Sequence, residues 1–162
     1  MRDSGVVAIL IVVLLPLAAA AGLTFWIRRA ASCGRTIDAP AGEPRRVFWG
    51  GVMCRYLITS GTLARLEFYD WGVRLRGTAV SRWIVPTWEA RYEDLAIAEL
   101  VSLKWSRIAV WMRLRGEANG IAFLSDRSSE IMPLLEQHDV PVNRALARVS
   151  RVQELYRLPG PG

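Results

Sequence analysis

Hydrophobic and polar positions keep three different rhythms along this chain, and each rhythm predicts a different kind of element. From Val6 to Ile27 there is no charged side chain, with Asp3 before the run and Arg28-Arg29 after it. Roughly 22 residues at about 1.5 Å each give about 33 Å of helix, enough to cross a hydrocarbon core of about 30 Å. The run therefore predicts a transmembrane helix. From Ala30 to Arg46 the rhythm vanishes among Gly34, Pro40, Gly42 and Pro44, which is linker composition.

A two-residue period follows. Val47 to Thr59 is apolar and aromatic, interrupted by Gly50-Gly51, and fits a first strand. Ala64, Leu66 and Phe68 alternate with Arg65 and Glu67; Asp70-Trp71-Gly72 supplies a turn; Val73 and Leu75 alternate with Arg74 and Arg76. This predicts a hairpin with one wet face. After Pro86, the segment Trp88 to Tyr92 predicts a third strand, and Ile97 to Leu103 a fourth. Ile108 to Leu114, Asn119-Gly120 and Ile121 to Leu124 predict a second hairpin. The predicted core comprises Leu66, Phe68, Val73, Leu75, Val110, Met112, Phe123, Ile131 and Leu135.

The third rhythm is helical. Ser125-Asp126 offers a cap, and Ile131, Leu134, Leu135 and His138 recur at helical spacing, with Pro133 either kinking the helix or marking a start nearer Ser129. Val142, Leu146, Val149, Val152 and Tyr156 recur every three or four residues, with Arg144, Arg148, Arg151 and Arg157 mostly elsewhere on the wheel. This predicts a terminal basic amphipathic helix. The organisation is thus an anchor over residues 1–29, a linker over 30–46, a β domain over 47–142, and a terminal helix and tail over 143–162. The fold class is a transmembrane helix plus an α+β domain: six or seven antiparallel strands in a partly open barrel, capped by a helix.

Charge adds an orientation. Arg28, Arg29 and Arg35 follow the apolar run while only Arg2 precedes it, so the positive-inside rule puts the body in the cytoplasm and the amino terminus outside. The rival is a signal peptide cleaved near Leu17 to Gly22. The net charge of +6 favours anionic neighbours. In a reducing cytoplasm Cys33 and Cys54 would be two free thiols, and neither sits at metal-ligand spacing. No metal site or cofactor is expected.

The chain carries no GxSxG, GxGxxG, GxxxxGK or HExxH pattern, and His138 is its sole histidine. Glu89, Glu93, Asp94 and Glu99 cluster in sequence, but alternation makes them solvated edges sooner than a catalytic set. The sequence therefore predicts a non-enzyme, with an anionic-lipid sensor at the inner leaflet and a membrane-bound carboxylate-based hydrolase or transferase as the rivals. Nucleic-acid binding is not expected, because the arginines are dispersed and the aromatics sit at core positions.

Three stretches carry a resemblance to bacterial pleckstrin-homology-like (PH-like) domains, including GRAM-like relatives, over roughly Leu63 to Val142. They are the hairpin from Leu66 through Asp70-Trp71-Gly72 to Leu75, the Arg91-Tyr92-Glu93-Asp94-Leu95 stretch entering a strand, and Ile121-Ala122-Phe123 leading to a helix that ends near Val140-Pro141-Val142. The resemblance implies a binding or scaffold module, here attached to a membrane and accessory to another membrane or envelope protein. Lipid-binding eukaryotic members hold inositol phosphates with a basic residue on one strand and Arg-x-Arg on the next. Arg65 with Arg74-Leu75-Arg76 is similar, although the short turn contains Asp70. The resemblance thus makes Arg65, Arg74 and Arg76 candidate anion or lipid contacts, or else the wet face of an amphipathic hairpin. The basic stripe of Arg144, Arg148, Arg151 and Arg157 is a candidate membrane-surface or partner contact.

Overall fold

The computed structural model describes residues 16–22, 24, 33–54, 57–58, 63–103, 107–117 and 120–149. Its strands are β1 (Arg46–Cys54), β2 (Leu57–Ile58), β3 (Ala64–Phe68), β4 (Gly72–Gly77), β5 (Trp88–Arg91), β6 (Leu95–Leu103), β7 (Arg107–Leu114), β8 (Gly120–Leu124) and β9 (Val142–Val149). A 3-10 turn spans Tyr92–Asp94, and helix α1 spans Ser128–Glu136. The path through the sheet runs β5-β4-β3-β1-β8-β7-β6-β9, with β2 paired to β1.

Strand β1 joins the two halves. Its first residues pair with β3, Arg46 to Phe68 through Gly50 to Ala64, and its later residues pair with β8, Gly51 to Leu124 through Met53 to Ala122. The changeover falls at Gly50-Gly51. A Cβ on Gly50 would lie 2.1 Å from the Leu124 carbonyl oxygen and 2.8 Å from Phe123 Cζ, so a bare backbone lets the halves meet.

The main core lies between the halves and α1. Every residue of the predicted core is buried, joined by Phe48, Val52, Trp88, Leu95, Ile121 and Met132. Period-two alternation works here because only alternate side chains reach that interior. The second half also buries its other face: Met53, Val101, Ala109, Trp111, Ala122 and Leu124 form a separate apolar cluster. Helix α1 runs through Pro133 to Glu136, and the turn that follows it closes at Asp139, whose φ is 59°, with Val140 N–H donating to the Leu135 carbonyl.

Four expectations are corrected. Among the described residues no helix is long and apolar enough to cross a membrane. Most of Val6 to Ile27 lies outside the described residues, and the described helical stretch there covers residues 16–22 and 24. An uncharged run meets the compositional demand of a span, but a span also needs about 20 continuous helical residues. The transmembrane helix, the single-pass anchor and the cell-membrane location with a cytoplasmic body are therefore withdrawn. Second, Val142 to Val149 is a strand, parallel to β6, and not the start of an amphipathic helix. Within Val142 to Val149 the three-and-four spacing covers only about two turns, and the open edge of β6 supplies the ladder that decides it. Third, that pairing makes the sheet mixed where an antiparallel one was expected. Fourth, Cys33 and Cys54 are joined in a disulfide, 21 residues apart in sequence.

The disulfide opens a strap. From Cys33 the chain runs beside β5, where Arg35 N–H donates to the Thr87 carbonyl and Glu89 N–H to the Arg35 carbonyl. The Arg35 guanidinium reaches Asp94 at 3.1 Å and Glu117 at 2.8 Å. Further along, Arg45 meets Asp70. Glycine and proline composition therefore describes a segment that is pinned to the sheet.

Candidate functional site

The outer face of the β1-β3-β4-β5 half is built from the polar positions of the alternation. Register places Trp49, Arg65 and Arg76 in one cross-strand row, and Val47, Glu67, Arg74 and Glu89 in the next. Two arginines directly opposite each other repel unless a counter-ion intervenes. Glu67, its side chain 1% exposed, supplies it. Arg76 Nε donates to Glu67 Oε1 at 2.9 Å, while Arg65 Nε lies 2.7 Å from the same oxygen as an ion pair without hydrogen-bond alignment.

The second row is closed on itself. Glu67 Oε2 accepts the Tyr69 hydroxyl at 2.8 Å. Arg74 donates from Nε to Glu89 Oε1 at 2.6 Å and from Nη1 to the Tyr69 hydroxyl oxygen at 3.2 Å, and its guanidinium lies over the stacked Tyr69 and Trp71 rings. The other Glu89 oxygen accepts Ile37 N–H at 3.0 Å, so the strap caps the network. Burial first, and then the hydrogen bond and charge of Glu67, hold the Tyr69 phenol above its usual range.

Beyond the first row sits a loop over residues 78–85. A Cβ on Gly77 would lie 2.8 Å from the Arg82 backbone, so that glycine seats the loop against the end of β4. Thr78 N–H donates to the Leu63 carbonyl at 3.1 Å and to Ser81 Oγ at 2.9 Å, and the Ser81 hydroxyl donates to the Leu63 carbonyl. Ile84 and Val85 N–H groups both donate to the Ser81 carbonyl. Trp83 Nε1 donates to the Val80 carbonyl at 2.8 Å, yet the residue is 58% exposed. Trp49 at 52%, Leu63 at 39% and Val80 at 77% are exposed as well, as is Arg82. Large apolar residues left wet on hydrogen-bonded backbone mark contact surface.

The arginines of the anion-binding expectation share one face. Arg74 is committed to Glu89 and Tyr69, whereas Arg65 and Arg76 share a single carboxylate. Of the terminal stripe, Arg144 pairs with Glu136 and Arg148 is exposed on β9, while Arg151 and Arg157 lie outside the described residues. The carboxylates a hydrolase would use are dispersed. Glu89 is in the network, Glu93 is exposed beside Arg91, and Glu99 sits on the other half with Arg113 and Asn143. His138 stacks on Tyr92 with ring centroids 3.9 Å apart.

A cleft of about 720 Å³ lies between the 40–45 strap and Tyr69-Asp70-Trp71. On its wall Arg45 and Asp70 neutralise each other in a two-point ion pair, and the Arg45 hydrogen bond holds the Asp70 carboxyl below its usual range. Among the described residues no group of three or more His, Cys, Asp or Glu is arranged to hold a metal ion.

Alternation alone missed Trp49, Trp83 and the burial of Glu67. A signal existed for each tryptophan: Trp49 falls on the wet parity of β1, and Trp83 in a turn segment before Pro86. Comparison with known proteins finds no matching family model and no matching curated protein.

Proposed function

We propose that this chain is a non-enzymatic binding or scaffold module that acts through contact with another protein. The observation that carries this reading is Trp83, held in a hydrogen-bonded loop by its own indole hydrogen bond to Val80 and yet exposed, as Val80 is. An anchor already in place loses little conformational entropy on binding, and tryptophan is the residue type most enriched among interface hot spots. The charged groups on the same half are engaged in pairs that order the sheet. They support a contact surface better than a reaction centre.

The order of strands and helix supports likeness to PH-like domains, whose members mostly bind. The experiment is chemical crosslinking in the cells that make the protein, followed by purification and quantification of what is attached. A partner recovered in stoichiometric amount through crosslinks to Arg82 or its neighbours supports the module. Recovery of the chain alone, together with turnover of a substrate, defeats it.

A further inference from the structure

We propose that the 33–37 end of the strap is exchangeable: two copies of this chain swap strap ends, and each Cys33 then bonds to the partner's Cys54. The surface it docks on is the outer edge of β5, and the occupant is the same segment of a second copy. The inference goes beyond the Trp83 contact and does not depend on it.

The strap end makes its contacts with residues far along the chain. Arg35 N–H donates to the Thr87 carbonyl at 3.0 Å, Glu89 N–H to the Arg35 carbonyl at 2.8 Å, and Ile37 N–H to Glu89 Oε2 at 3.0 Å. Arg35 is thereby a parallel bridge partner of Trp88 on β5, the strand at which the sheet ends. Its guanidinium reaches Asp94 and Glu117, and Cys33 is bonded to Cys54. All of these partners belong to the folded body, so an identical strap end arriving from another chain finds every one in place. A foreign strand would have to bring the same arginine and a cysteine two residues before it.

The next stretch is a hinge. Among the described residues, no hydrogen bond or ion pair ties Asp38 to Pro44 to the sheet. Pro40 to Glu43 are exposed, a Cβ on Gly42 would meet nothing within 4 Å, and the cleft of about 720 Å³ separates the hinge from Tyr69-Asp70-Trp71. At Arg45 the chain is fixed again, through its N–H on the Phe68 carbonyl and its guanidinium on Asp70. The residues from 38 to 44, at about 3.3 Å each, span up to about 23 Å, and Pro40 and Pro44 favour that extended form. The hinge is thus long enough to carry the strap end across to an adjacent copy. Exchange of an identical element keeps every contact, which makes it a low-cost route to a dimer.

The disulfide can be passed on in the same way. Cys54 is 1% exposed, whereas Cys33 is half-buried, so an incoming small thiolate attacks the Cys33 sulfur. A new S–S bond forms there, the bond to Cys54 breaks, and Cys54 leaves as a thiolate. When the capped strap end docks on a second copy opened in the same way, the partner's Cys54 thiolate attacks Cys33. The bond between the chains forms and the small thiolate is expelled. Each copy does this once, so the monothiol acts as a catalyst and nothing is oxidised or reduced overall. Because closed and exchanged arrangements share their contacts, chain concentration decides between them, against a strap end whose effective concentration at home is in the millimolar range.

The test uses two full-length variants that cannot close the bond within one chain: Cys33→Ser with its Cys54 thiol free, and Cys54→Ser with its Cys33 capped by 2-mercaptoethanol. Mixed at about 1 mM, they should give a covalent heterodimer on non-reducing electrophoresis, with Cys33–Cys54 as the bond found by peptide mass. Adding Arg35→Glu to the Cys54→Ser chain should slow the linking several-fold, by setting like charges against Asp94 and Glu117. Absence of the heterodimer would overturn the proposal. So would a heterodimer that forms as fast with Arg35→Glu, because that marks chance collision. Should either variant fail to unfold cooperatively in urea, the unmodified chain decides. With 2-mercaptoethanol and about 1 mM chain, part of it should become a covalent dimer, and a wholly monomeric product would overturn the proposal. Each of these results leaves the Trp83 contact untouched.

Discussion

Glu67 shows how one side chain decides the character of a sheet face. It lies in the wet position of an alternating strand, yet two arginines and a tyrosine hydroxyl enclose it to 1% side-chain exposure. Replacing it by glutamine leaves two facing guanidinium groups with no counter-charge, and breaking a buried pair costs about 3 kcal/mol or more. The Glu67→Gln chain should therefore show a lower urea midpoint, and added salt should narrow the gap by screening the arginines. Tyr92 makes a separate prediction in alkali. Burial first, and then the nearby charge of Asp70, push its phenol up, and its hydroxyl donates to the Tyr69 carbonyl at 2.8 Å. A raised folded pKa means the unfolded chain loses its proton first. Stability contributed by the neutral phenol is thus complete below about pH 10 and lost above it. The alkaline fall in urea midpoint should be shallower for Tyr92→Phe, with the raised Tyr69 phenol accounting for what remains. An unchanged alkaline limb would show that this phenol ionises as easily in the fold as out of it.

Among the elements, β1 and the 78–85 loop depend most on a missing side chain. Gly50→Ala would put a methyl group 2.1 Å from the Leu124 carbonyl at the junction of the halves. Overpacking of this kind costs about 1–3 kcal/mol, so the thermal midpoint should fall by several degrees in a chain of this length. Gly77→Val should leave the sheet intact but lift the loop, which Trp83 would report as a change in indole fluorescence. Strands whose alternate positions face one core were legible in the sequence, as the hairpins at Ala64–Phe68 with Gly72–Gly77 and at Arg107–Leu114 with Gly120–Leu124 show. Elements defined by what lies beside them were not legible. β9 depends on the free edge of β6, and its Val142, Leu146 and Val149 spacing suits a helix in isolation. In the candidate site the arginines were visible and their counter-ions were not. Which carboxylate faces which guanidinium is a matter of register, and nothing local in Arg65-Leu66-Glu67 states that register.

For the molecule as a whole, the strap determines how the polar half is closed. Cys33 sits at its start and Cys54 at the end of β1, so one covalent bond ties the segment that caps Glu89 to the strand that both halves share. Closing a loop of 21 residues corresponds to about 3 kcal/mol of stabilisation by the chain-entropy estimate. Urea unfolding with and without a thiol reductant should show a shift of that order, and Cys33→Ser should reproduce it. That free energy corresponds to roughly a hundredfold change in the ratio of folded to unfolded chain. The exposure of this chain to proteolysis should therefore follow the local thiol-disulfide balance: where a glutathione pool keeps the bond open, proteases would meet about a hundred times more unfolded chain than where an oxidase keeps it closed.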